Sequence, residues 1–404
     1  MTYQKYIKAL WAAVVMATAS ACVQIDVDHG TSDGEISIFP VTSMPAKSIP
    51  GAIMGTTYPF SETMGIMAFH SKAEPGPWTD TDVQYAATHD PHIDKGEFGY
   101  IAEHGAWGGI ETTLNDGIRD SVEHNPYHWP ENGSLVFAGF SPYYKFEAVN
   151  VENLTKEGKL KEIKNMVNFD IPTRTLSVTG YTVGQYIPMT GEQIADPDHE
   201  YINTTQSDAM FFMPQVVDGN YVGVNKLSAY PAHFHHALSL VEFKVRAEDD
   251  YDMDRIHIDR ITLDKVYHTG DFSATVNDDG SISAKWDNLK GQEDIHIFGD
   301  EGGHDGKNEL LMDMDLRSVA QLLIIPGPTH PITVGCHIYT MGKYYDQTFV
   351  VEPKDVGITN WEIGKRYVYN LIIGINKIEF SSRTYDWNDV DGGGIASQQK
   401  TDNQ

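Results

Sequence analysis

Apolar and polar residues alternate with period two along most of the chain, in short runs bounded by Gly, Pro, Asn and Asp, which is the signature of strands with one buried face. The runs fall at residues 35–39, 65–69, 134–140, 175–183, 240–245, 256–263, 272–276, 281–286, 320–325, 334–340, 347–351 and 366–380. Within 240–245 and just beyond it, Glu242, Lys244 and Arg246 are expected to face away from the core. Asn277-Asp278-Asp279-Gly280 separates two runs and predicts a hairpin, since Asp-Gly tolerates the positive φ of tight turns. One helix is expected, over 151–167, although Gly158 weakens it. The stretch from Ser71 to Asn132, heavy in Gly, His and Pro, reads as a loop-rich insertion. Many short antiparallel strands at this spacing predict an all-β chain built as two β-sandwich domains in tandem. The weakly patterned acidic segment 184–207 divides them, giving domains over 35–205 and 206–404.

The amino terminus departs from this pattern. Lys5 and Lys8 precede an apolar run, Ala9 to Ala17, which is followed by small residues and then Ala21-Cys22. The run is too short to span a bilayer and reads as an export signal covering residues 1–21. A cysteine directly after Ser-Ala resembles a bacterial lipobox, with cleavage between Ala21 and Cys22 and acylation of Cys22. The polar segment 22–34 then reads as a tether.

Charge narrows the classes of partner. Removing residues 1–21 takes away two lysines and no acids, so the formal charge of −28 becomes about −30. Such a chain is repelled by phosphate backbones and anionic headgroups, which argues against nucleic-acid binding. With Cys22 acylated, Cys336 has no partner, and alternation places it beside Ile332, Val334 and Ile338 as a buried thiol.

No motif for catalysis stands out: there is no Gly-x-Ser-x-Gly elbow, no His-Glu-x-x-His and no glycine-rich phosphate loop. Histidines cluster at His89 and His92, at His124 and His128, and at His233, His235 and His236. His233 and His235 share a strand face, but no cysteine or carboxylate set stands at ligand spacing, so neither a metal nor a cofactor is expected. The Asp386-Trp-Asn388-Asp-Val390 run fails the calcium-loop pattern at its fifth position. Tyr127, Trp129, Tyr143 and Tyr144 lie near one loop and offer faces for stacking on sugar rings, although core packing is the commoner use of such residues.

Five spaced segments stand in order along the chain: Tyr127-His-Trp129-Pro130 followed by Phe137-Ala138-Gly-Phe140-Ser141-Pro142, then Asp208-Ala-Met-Phe-Phe, Phe234-His-His236-Ala237-Leu238, Leu323-Ile-Ile-Pro326, and Trp361-Glu-Ile-Gly364 leading into Tyr367-Val-Tyr369-Asn370-Leu371. Together they resemble the fimbrillin family, the pilus subunits and fimbrillin-like lipoproteins of Gram-negative oral and gut anaerobes. The resemblance implies two transthyretin-like β-sandwich domains, export as a lipoprotein to the outer membrane, and no catalytic activity. It also makes His236 part of a structural strand motif.

In the family's best-known members a protease cuts after an Arg beyond the first strand, and a neighbouring subunit's strand fills the groove so opened. Here no Arg precedes Arg119, and the matching position is Lys47, followed by Ser48. The stretch 367–387 carries the donor candidates Val368, Leu371, Ile373, Ile375, Ile378 and Phe380. The leading expectation is therefore a fimbrial subunit or fimbrillin-like surface lipoprotein, whose partners are other pilus subunits through strand exchange, the outer membrane through the lipid, and a host or bacterial surface ligand. A glycan-binding surface lipoprotein is the alternative, and a secreted hydrolase a third reading that rests only on scattered acids.

Overall fold

A computed structural model gives the fold and describes residues 34–42, 58–115, 118–147, 159–188, 206–249, 255–299, 310–311 and 315–387. The chain is all-β there, apart from one α-helix, Asp80–Thr88, and two 3-10 turns. The largest sheet runs in the order Ile38–Thr42, Tyr230–His236, Met210–Phe212, Ser134–Ser141, Met64–Ser71, Ile93–Ile101, Ala106–Asn115 and Ile118–His124. Its first and seventh strands also meet, with Ile38 opposite Trp107, so the sheet bends into a ring that Ile38–Thr42 closes.

Both faces of this sheet are covered, which is why MGIMAFHS and SLVFAGFS read as nearly continuous apolar runs. Met64, Ile66, Ala68, Leu135 and Phe137 join Ile36 and Ile38 in one core. The alternate residues Met67, Phe69, Val136, Ala138 and Phe140 belong to a second. Two glycines in the sheet are covered by cross-strand rings. A Cβ at Gly65 would lie 2.2 Å from the Phe140 ring, and one at Gly139 would lie 2.1 Å from that of Phe212.

The second core is completed by Val167–Asp170, Thr175–Thr182 and the end of a 21-residue strand, Ile256–Val276. That strand serves two cores, with Phe272, Ala274 and Val276 in the second and Ile256, Ile258, Ile261 and Leu263 in the third. The predicted hairpin follows it: Asn277 N donates to Ser281 O at 2.8 Å, and Gly280 takes φ +83°. The third core is built from Ile332–Thr340 and its neighbours together with a four-stranded sheet in the order Arg317–Ile324, Ser239–Ala247, Lys365–Ile373, Ile378–Asp386. Cys336 lies in it with Ile332, Val334 and Ile338, as the alternation predicts.

Four expectations are corrected. The helix expected over 151–167 is absent from its described part, where Lys159–Glu162 is a strand paired with Tyr144–Glu147, followed by a 3-10 turn and a further strand. Pairing across the sheet supplies the backbone partners that a helix would have made internally. The stretch 71–132 is not loop but holds the helix and the strands Ile93–Ile101, Ala106–Asn115 and Ile118–His124. Its glycines are packing devices: a Cβ at Gly96 would sit 2.6 Å from Tyr127 Oη, and one at Gly109 would sit 2.2 Å from Asn125 O. A domain boundary at 205 would cut both large sheets, since Phe211 pairs with Phe140 and Thr275 with Thr175. Finally, Glu242 is buried rather than solvated, and Arg366 Nη2 donates to its carboxylate at 2.6 Å.

Candidate assembly site: the first strand and the groove it fills

Ile38–Thr42 is parallel to Tyr230–His236, with partners running from Ile38 with Tyr230 to Thr42 with Phe234. On its other side, among the described residues, it makes a single pairing, Ile38 with Trp107. Just upstream, the backbone is pinned at three points: Ile36 N donates to Tyr127 O at 2.7 Å, Gly34 O accepts from Trp129 N at 2.7 Å, and Ser37 O accepts from Tyr230 N at 2.8 Å. Gly34 takes φ +101°, which an L side chain would resist. Ser37 Oγ adds a bond to Trp107 O at 3.3 Å.

Alternation sorts the side chains. Ile36 and Ile38 are buried among Tyr58, Trp107 and Phe234, whereas Phe39 points outward and is 46% exposed. Tyr58 meets Trp107 edge to face at 4.7 Å and is hydrogen-bonded to Ser141 Oγ at 3.0 Å. Burying the two isoleucines contributes about 1.5–3 kcal/mol each, so the strand is held chiefly by two apolar anchors and one ladder. Among the described residues no disulfide secures it, since Cys336 is free and lies in the third core.

The carboxy-terminal candidates separate into two groups. Val368, Leu371 and Ile373 lie buried on Lys365–Ile373, a strand paired on both sides, and Leu371 and Ile373 complete this chain's own third core. Their use as a donor would empty that core. Ile378 and Phe380 lie on Ile378–Asp386, which among the described residues is an edge strand paired with Lys365–Ile373, and with Ile375 they are half-buried. Beyond it, Trp387 is buried and its ring stacks on His236 at 4.0 Å, 4° from parallel. His236 Nδ1 in turn lies 2.7 Å from Asp208 Oδ2, both side chains buried, in keeping with a structural strand role. Alternation alone could not distinguish central from edge strand. Ala21, Cys22, Lys47 and Ser48 lie outside the described residues.

A second feature is an open cleft of about 530 Å³. Tyr127, Tyr143 and Tyr144 line it with Glu97, Glu111, Glu162, Lys164, Asn125 and Asn165. Burial raises the phenol of Tyr143 to about 12 and also raises those of Tyr127 and Tyr144, so all three are neutral donors at physiological pH. Lys164 stands at its edge, 2.8 Å from Glu162 Oε1. Trp129, grouped with these tyrosines by sequence, is instead buried against Phe137 in the first core.

Residues 223–387 match the model of the fimbrillin-like family. That segment is similar to the fimbrillin-like family. No curated protein sequence matches it. Among solved structures, a fimbrial protein from Bacteroides vulgatus is similar with 14% identity and a TM-score of 0.47, covering 87% of this chain and 99% of its own. A candidate cell adhesion protein from Bacteroides ovatus is similar with 12% identity and a TM-score of 0.45, covering 88% and 99%. The tip fimbrial protein Mfa3 from Porphyromonas gingivalis, truncated at its carboxy terminus, has 9% identity and a TM-score of 0.34, covering 84% and 97%.

Proposed function

We propose that the chain is a fimbrial subunit of the bacterial surface, structural rather than catalytic, with a role in adhesion. It is exported, acylated at Cys22 after cleavage behind Ala21, and held at the outer membrane until a protease cuts between Lys47 and Ser48. Loss of residues up to Lys47 removes Ile38–Thr42 and opens the ring, and the strand of a neighbouring subunit refills it. The observation that carries this reading is the way Ile38–Thr42 closes the largest sheet: two buried isoleucines and a parallel ladder on Tyr230–His236, with one further pairing at Trp107. An opened groove of that kind exposes backbone donors and acceptors together with an apolar floor, and strand addition satisfies both. The donor that fits best is the edge strand with Ile375, Ile378 and Phe380, which can leave without emptying the third core.

A labelled peptide copying residues 375–386 should bind the trimmed protein and not the intact one. Binding to neither rejects this donor. Metabolic labelling with a fatty acid should mark the wild type and not Cys22→Ala, and an unlabelled wild type rejects the anchor.

The tyrosine-lined cleft favours a second reading, recognition of a surface glycan. Its neutral phenols, carboxylates and amides suit the hydroxyls and apolar faces of sugar rings, and its volume suits a short saccharide. Glycan-array binding that is lost in Tyr144→Ala would support it, and no binding above background would reject it.

A further inference from the structure

Among the described residues, three groups suited to a metal ion converge at one place, formed by Glu35, His104 and His124. Their ligating atoms all lie within 4.8 Å of one another. His124 Nε2 stands 3.8 Å from Glu35 Oε2, too far for a hydrogen bond, and the rings of His104 and His124 meet edge to face at 4.9 Å. The three residues come from separate elements. Glu35 precedes the first strand and bridges to His128, His104 sits in the turn between Ile93–Ile101 and Ala106–Asn115, and His124 ends Ile118–His124.

The backbone around each is fixed. Ile36 N is bonded to Tyr127 O at 2.7 Å, His104 N to Ile101 O at 3.0 Å, and Asn125 N to Gly109 O at 2.8 Å. Glu35 is largely buried, with 12% of its side chain exposed, whereas His124 keeps 29% and so lies open to an arriving ion.

We propose that Glu35, His104 and His124 form a binding site for a divalent transition ion of the zinc class. Two imidazoles and one carboxylate suit zinc, nickel or cobalt, while an all-oxygen set would suit calcium or magnesium and thiolates would suit copper(I). Tetrahedral coordination with bonds of about 2.0–2.2 Å sets neighbouring ligand atoms about 3.3 Å apart. The 3.8 Å pair must close by about 0.5 Å, a shift that the exposed His124 side chain can supply. Water completes the fourth position. Because Glu35 lies just before the strand that closes the ring, the bound ion staples that segment to the neighbouring hairpin. Sequence spacing hid the site, since His124 reads as a partner of His128 rather than of His104. The site does not depend on the assembly reading.

The test is calorimetric titration of untagged protein with zinc chloride. Wild type should take up one equivalent, and His104→Ala, His124→Ala and Glu35→Gln should each bind at least ~10-fold more weakly while melting near the wild-type temperature without metal. Cobalt-loaded wild type, which needs no variant to fold, should show the ligand-field absorption of a tetrahedral ion. Absence of binding by wild type, a hexaaqua-like cobalt spectrum, or equal binding by the two histidine variants would overturn the proposal. In the last case the ion sits elsewhere, for example at His70 and His92, whose rings lie 6.3 Å apart.

Discussion

Ile38→Ala tests whether the first strand is a separable element. Ile38 is 1% exposed and pairs with both neighbours of its strand, Tyr230 on one side and Trp107 on the other. Removing a buried isoleucine to alanine costs about 2–5 kcal/mol, and about 3 kcal/mol corresponds to roughly two decades in an opening equilibrium. The five ladder pairings on the Tyr230–His236 side cannot absorb that loss, because among the described residues the other edge holds a single pairing. The strand should therefore open locally, while the third core, which shares no residue with it, stays closed. Hydrogen exchange read by mass spectrometry should show residues 230–236 exchanging about 100-fold faster, with 332–340 unchanged. Phe39→Ala, on the exposed face of the same strand, should alter that exchange by less than about threefold, a cost near 0.5 kcal/mol. Unchanged protection at 230–236 in Ile38→Ala would refute the reasoning. So would uniform loosening of the whole chain, since the strand would then be an inseparable part of one cooperative unit.

Other outcomes follow from the same packing. Cys336 is 1% exposed and burial pushes its thiol well above the ordinary range, so thiol reagents should label it only after denaturation, and rapid labelling of the folded protein would contradict its place in the third core. The Asp82 carboxylate accepts from Thr79 Oγ1 at 2.6 Å and Thr79 N at 2.9 Å, bonds that hold it below the ordinary value of 3.8. Its contribution to the start of Asp80–Thr88 is therefore complete above pH 3.8 and lost as pH falls through the lowered value. Amide protection in that helix, corrected for the intrinsic exchange rate, should fall on acidification below pH 3.8, and Thr79→Ala should flatten the response. Gly139→Ala should destabilise the fold by about 1–3 kcal/mol in a denaturant titration, because the new methyl would meet the Phe212 ring at 2.1 Å and Gly65 O at 2.8 Å.

The strands that sequence reveals best are those with one buried face. Residues 272–276 alternate cleanly between buried and half-buried positions, and Cys336 falls where the apolar alternation of 334–340 puts it. Residues 256–263 and 272–276, read as two strands, are one, because the polar positions between them face outward along a strand that spans two cores. Where glycine serves close packing, as at Gly96 and Gly109, composition mimics a loop and the strands of 93–115 are missed. The half-buried edge strand with Ile378 and Phe380 and the central strand with Leu371 and Ile373 share one alternation, so only the pairing partners tell a removable strand from a core strand. Tyr127 of the cleft is two residues from Trp129, yet Trp129 packs into the first core, with its backbone N–H donating to Gly34 O. Glu35, His104 and His124 are brought together by the ring and the hairpins beside it, and no local spacing encodes that meeting.

The central claim is that losing the first strand creates a groove which another copy fills. Limited digestion with a lysine-specific protease, with Edman sequencing to establish Ser48 as the new amino terminus, puts this directly to the test when followed by sedimentation and electrophoresis in sodium dodecyl sulfate. The account predicts that trimmed wild type forms detergent-resistant ladders and sediments as polymers, and that Lys47→Ala stays monomeric under the same digestion. Trimmed protein that begins at Ser48 and remains monomeric at high concentration would contradict it.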